Sequence, residues 1–126
     1  MLVAVCATSI GYAHHSYAMY DAEKTVAYTG TISRVRWANP HVWMELMVPG
    51  SDGGAAKAVN IEFPSPEALK SVGWGKDAVA VGDKVIAAIH PLRSGQPAGA
   101  IVNMVKNGVT MEAHKKNETG QQGAGK

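Results

Sequence analysis

Five histidines, at positions 14, 15, 41, 90 and 114, are the side chains of this sequence best suited to holding a metal ion. Neutral imidazole is a common protein ligand for copper, zinc and nickel. His14 and His15 are adjacent and follow the stretch MLVAVCATSIGYA. With His14 as the first residue of a processed chain, its α-amino and ring nitrogens chelate one ion together. His15 then adds a second ring and a backbone amide. Copper(II), which favours a tetragonal nitrogen-rich set, suits such a group first, and zinc second. The alternative is a polar leader with no ordered role, since two neighbouring histidines bind copper weakly in almost any exposed peptide.

The chemistry of His14 depends on processing. Residues 1–13 carry no charge and end in Gly11-Tyr12-Ala13, with small residues three positions and one position before a possible cut. That is the pattern of a signal-peptide apolar region and its cleavage site. A basic opening is missing, so the expectation is a signal peptide truncated at its start and a periplasmic or secreted product. Cys6, the single cysteine, falls in the part to be removed. Val5 before it is bulkier than a lipoprotein processing site normally accepts. The mature protein then has neither disulfides nor thiolate chemistry.

His41 follows Asn39-Pro40 and lies between Trp37 and Trp43; His90 precedes Pro91. Each sits where a strand is expected to meet a loop. The candidate metal ligands are therefore His14, His15, His41 and His90. A ring that merely caps a backbone carbonyl is the competing role for the last two. For His114, in the tail, that bland role prevails. Trp37, Trp43 and Arg93 are candidates for a ligand groove, with barrel core or rim as the bland role of the tryptophans. Met44, Met47 and Met104 occupy strand positions and read as packing. Glu62 is the carboxylate to watch, because it falls opposite Val59 and Ile61 and next to apolar strands.

The elements that must position these residues are mostly strands. Val26–Trp37 is rich in β-branched and aromatic residues. Val26, Tyr28 and Ile32 share one phase while Val35 and Trp37 share the other, which implies a bulge or bend, with Gly30 as the expected pivot. Asn39-Pro40 breaks the strand. Val42–Val48 alternates cleanly, PGSDGG at 49–54 is a hairpin loop, and Ala58–Phe63 is a third strand. Ser65 as N-cap, Pro66 at the first helical position, Glu67 in the first turn and Gly73 as the stop outline one short helix. Val85–His90 and Ala100–Val105 follow, then a short last strand, Val109–Met111. Residues 14–25 form a leader to the domain at 14–112, and 113–126 has nothing to bury and reads as a disordered tail.

Three strands, a short helix and two more strands, with the first strand bent, predict an all-β fold, an OB-type five-stranded small barrel. In such a barrel the loops between strands 1–2 and 4–5 frame the ligand face, which would bring His41 and His90 together across 49 residues of sequence.

Composition narrows the classes. The chain has 126 residues, 46% hydrophobic and 17% charged, enough for one core. Its net charge of +2 has no basic cluster behind it, which argues against nucleic acid. No apolar run approaches the roughly 18 residues of a membrane span. There is no G-x-S-x-G, H-E-x-x-H or phosphate loop. A binding protein is therefore expected rather than an enzyme, although oxidation by a copper ion at an N-terminal histidine is the one catalytic role these residues permit.

HHSYAMYD (14–21), GTISRVRWANPHVWMEL (30–46), IEFPSPEALKSVGW (61–74) and VGDKVIAAIHPLRSGQPAG (81–99) together resemble a family of small exported bacterial proteins known only as a domain of unknown function. Its most specific marks are the His-His-Ser start and the W-x-N-P-H motif, Trp37 to His41. Members commonly carry tryptophan two residues before the acidic residue of the third strand, where this chain has Asn60 and so no ring to stack. The resemblance implies export and removal of the leader, and it implies no activity. Two functions follow as expectations: a periplasmic copper- or zinc-binding protein using the histidines, or a metal-free module holding a small ligand, glycan or protein partner.

Overall fold

The computed structural model describes residues 18–116. Six strands and one short helix run in the order β1 (Val26–Arg36), β2 (Trp43–Val48), β3 (Lys57–Glu62), α1 (Pro66–Ser71), β4 (Lys84–Pro91), β5 (Ala98–Lys106) and β6 (Val109–Glu112). A 3-10 turn at Ser51–Gly53 lies in the β2–β3 hairpin loop. Adjacent strands pair in the order β3-β2-β1-β4-β5-β6, and β3 also pairs with β5 in parallel, which closes the first five into a barrel. This all-β barrel with one short helix is the OB-type arrangement expected from the order of elements. β6 adds a hairpin to β5 outside the closed ring. Among the described residues no helix is long and apolar enough to cross a membrane.

Alternation decides which side chains face in. Met44, Leu46, Val59, Ile61, Val85, Ala87, Ile89, Ile101 and Met104 are buried in one cluster, joined by Leu69, Trp74 and Val79 from α1 and the segment after it. Ser65 caps α1, its hydroxyl accepting from the Ala68 amide at 3.2 Å. Trp74 donates its indole N–H to the Glu112 carbonyl at 2.9 Å and meets Phe63 edge-on, ring centres 5.6 Å apart.

The phase change in β1 is real, but its pivot is not Gly30. The register against β2 slips between Ile32 and Arg34, so Ser33 is the extra residue, and its hydroxyl donates to Glu45 Oε1 at 2.7 Å. Gly30 serves close approach instead: a Cβ there would stand 2.3 Å from the Met47 carbonyl oxygen. The expected tail also begins too early at 113. Ala113 is buried and its amide donates to the Val102 carbonyl at 3.3 Å, while His114 bonds the Ile101 carbonyl, so the folded part continues past β6.

Candidate functional site

Glu62 ends β3 on the face away from Val59 and Ile61, the outside of the barrel, and yet it is only 9% exposed. Three segments cover it. Tyr20, itself 5% exposed, donates its hydroxyl to Glu62 Oε2. His41 places Nδ1 3.6 Å from Glu62 Oε1 and 3.1 Å from the Phe63 carbonyl oxygen. His114 lines a small cleft with Glu62, Phe63, Pro64, Ala100 and Ile101, about 10 Å³ in volume, close to the smallest space that admits one water.

Tyr20 reaches this position because the leader docks. The Asp21 amide donates to the Pro91 carbonyl at 2.8 Å, the Arg93 amide to the Met19 carbonyl at 2.9 Å, and Arg93 Nε to the Ala18 carbonyl at 3.1 Å. Tyr20 and Leu92 thereby form an antiparallel bridge, a short extension of the sheet beyond β4. Residues 18–21 are thus tethered along the end of β4, with Tyr20 beside Glu62. His41 is delivered by the turn after β1, where the Asn39–Pro40 peptide is cis.

Each of the three described histidines turns one ring nitrogen to a backbone carbonyl. His41 Nδ1 faces Phe63 O, His90 Nδ1 faces Lys24 O at 2.7 Å, and His114 Nε2 faces Ile101 O at 3.3 Å. A carbonyl only accepts, so the facing nitrogen carries the hydrogen. In the neutral ring the other nitrogen, Nε2 of His41 and His90 and Nδ1 of His114, then keeps its lone pair. That is how a metal-ligating histidine is usually oriented, with its second nitrogen donating to a carbonyl or carboxylate.

The expected convergence of His41 and His90 is only partial. Glu62 pairs with Ala100 and Ala100 with His90, so His90 stands two strands from Glu62, about 10 Å at ordinary strand spacing. Among the described residues no group of three or more histidine, cysteine, aspartate or glutamate side chains is placed to hold a metal ion. His14 and His15 lie outside the described residues. Nor do the three groove candidates share one groove. Trp37 packs against the core. Trp43 lines an outer cleft of about 230 Å³ with Arg34, Arg36, Glu45 and Asn60. Arg93 borders a different cleft of about 500 Å³, between the leader and the β4–β5 loop.

Tyr20 and His114 join this cluster although neither is a candidate by sequence. Tyr20 meets Glu62 across 42 residues, a pairing that no local spacing signals.

The family model described as a family of unknown function, DUF6152, matches residues 2–123, and the chain belongs to that family. No curated protein and no solved structure matches it.

Proposed function

We propose that this family member is an exported, periplasmic or secreted, metal-binding protein. It holds copper(II), or zinc as second choice, through the amino group and ring of His14, the ring of His15 and Nε2 of His41. His90 is a reserve ligand. The role is to buffer or deliver the ion, without turnover. Export rests on the charge-free stretch at 1–13 and the small residues at 11 and 13.

The observation that carries the metal reading is the docked leader. Ala18–Asp21 is fixed along Pro91–Arg93, and Tyr20 touches the same carboxyl group that flanks His41. His14 is six residues upstream of Tyr20, a span of up to about 20 Å when extended. The N-terminal histidines are therefore within reach of His41, whose Nδ1 is already engaged with Phe63 O and whose Nε2 keeps its lone pair.

The test is a copper(II) competition titration on protein beginning at His14 and on the same protein with one residue added in front. The expected result is tight one-to-one binding that the added residue abolishes, because it converts the chelating amine into an amide. Equal binding by both proteins would refute the reading. A metal-free module for a small ligand, glycan or protein partner is the second reading, favoured by the cleft beside Arg93.

A further inference from the structure

The cleft of about 500 Å³ is walled by Val26 and Tyr28 of β1, by Pro91 and Leu92 at the end of β4, and by Ala98 of β5. Its volume is in the range of small-molecule sites. Its polar lining comes from Asp21 and Lys24 of the leader and from Arg93 and Gln96 of the β4–β5 loop. The Asp21 carboxylate lies 3.8 Å from Lys24 Nζ and 4.0 Å from Arg93 Nη1, both longer than a hydrogen bond. It orients the two cations without saturating them. Asp21 Oδ1 also accepts the Glu23 amide at 3.2 Å.

Arg93 spends Nε on the Ala18 carbonyl, and among the described residues its terminal nitrogens make no hydrogen bond. Two cations against one carboxylate leave the cleft with one net positive charge. A third cation, Lys57, sits 5.1 Å from the centre of the Tyr28 ring that forms part of the wall.

We propose that this cleft binds a small organic carboxylate with an apolar or aromatic body. The carboxylate pairs with Arg93 and Lys24, and the body lies against Tyr28, Leu92 and Pro91. A planar guanidinium suits a carboxylate in two-point contact. An apolar body profits from the apolar walls, whereas inorganic phosphate gains nothing from them. None of these residues is a proposed metal ligand, so this site stands or falls separately from the copper reading.

The experiment is a 1H–15N NMR titration of the metal-free full chain with 4-hydroxybenzoate, 4-hydroxybenzamide and inorganic phosphate. Saturable shifts at the amides of Asp21, Lys24, Arg93 and Gly95 are expected with the benzoate. The amide and phosphate should bind about tenfold more weakly or worse, because each lacks one of the two interactions. R93Q and K24Q should each weaken benzoate binding by about tenfold, and R93K, which keeps the charge but not the fork, by less. Absence of saturable shifts, equal binding of the benzamide, or equal binding of phosphate would each overturn the proposal. So would a benzoate affinity left unchanged in K24Q, whose exposed side chain can be changed without disturbing the fold even if R93Q loosens the leader.

Discussion

Tyr20→Phe isolates the contact on which the site depends. The ring, buried at 5% exposure, keeps its packing, and the hydroxyl donated to Glu62 Oε2 is lost. A hydrogen bond to a carboxylate contributes about 1.5–3 kcal/mol, and its loss leaves Glu62 Oε2 short of a donor in a covered position. Among the described residues four other bonds still hold the leader: Asp21 N–H to Pro91 O, Arg93 N–H to Met19 O, Arg93 Nε–H to Ala18 O and His90 Nδ1–H to Lys24 O. The variant should therefore open locally before it unfolds. Amide exchange at Asp21 and Arg93 should quicken by about 10- to 100-fold, the factor that corresponds to that energy. The thermal midpoint should fall in step, at about 4–8 °C per kcal/mol for a domain of this size. The fall stops once the undocked leader becomes the resting state, because the barrel then loses nothing further. Glu62→Gln keeps an acceptor for the tyrosine and should show the smaller change. Unchanged exchange at both amides, with an unchanged midpoint, would mean that the Tyr20 hydroxyl does not hold the leader.

Further outcomes follow from other positions. A Cβ at position 99 would lie 2.5 Å from the His90 carbonyl oxygen and 2.6 Å from Ile89 Cδ1, so Gly99→Ala should cost about 1–3 kcal/mol in urea unfolding, with an unchanged m-value. Ser65→Ala removes the cap of α1 and should cost about 1 kcal/mol by the same assay. Asp83 is held below the usual carboxylate range, chiefly by its side-chain hydrogen bond with Lys106 at 2.7 Å and then by the Ala80 amide. A lowered folded value means that its stabilisation is present above the ordinary carboxylate pKa of about 3.9 and lost as pH falls through the folded value. Urea midpoints of the unchanged protein and Asp83→Asn should differ by a constant amount near neutrality and converge in acid; a gap that widens as pH falls below the ordinary carboxylate pKa contradicts this sign.

The strands were legible because inward and outward residues alternate, and the helix because Ser65, Pro66, Glu67 and Gly73 each suit one position of a short helix. The same alternation singled out Glu62, an acidic residue out of phase with Val59 and Ile61. The phases of β1 announced a bulge, but not that Ser33 rather than Gly30 would be the extra residue. That choice is made by the pairing of Thr31 and Ile32 on one side and Arg34 on the other with β2. Tyr20 and His114 were illegible for a different reason. Each is fixed by contact with a distant strand, which its neighbours in sequence do not signal. Trp37, Trp43 and Arg93 failed to form one groove because Trp37 turns inward after the bulge, Trp43 remains on the outer face, and Arg93 is placed by the leader it binds.

In the proposed site the barrel, through His41, completes a metal centre begun by the N-terminal histidines. The most direct measurement is EPR of one equivalent of copper(II) on protein beginning at His14, compared with its His41→Gln variant. A multi-nitrogen spectrum that loses one imidazole nitrogen in the variant, with affinity falling by about tenfold or more, is the predicted result. Identical spectra and affinities would contradict it and leave His14 and His15 as a peptide-like site with no part played by the fold.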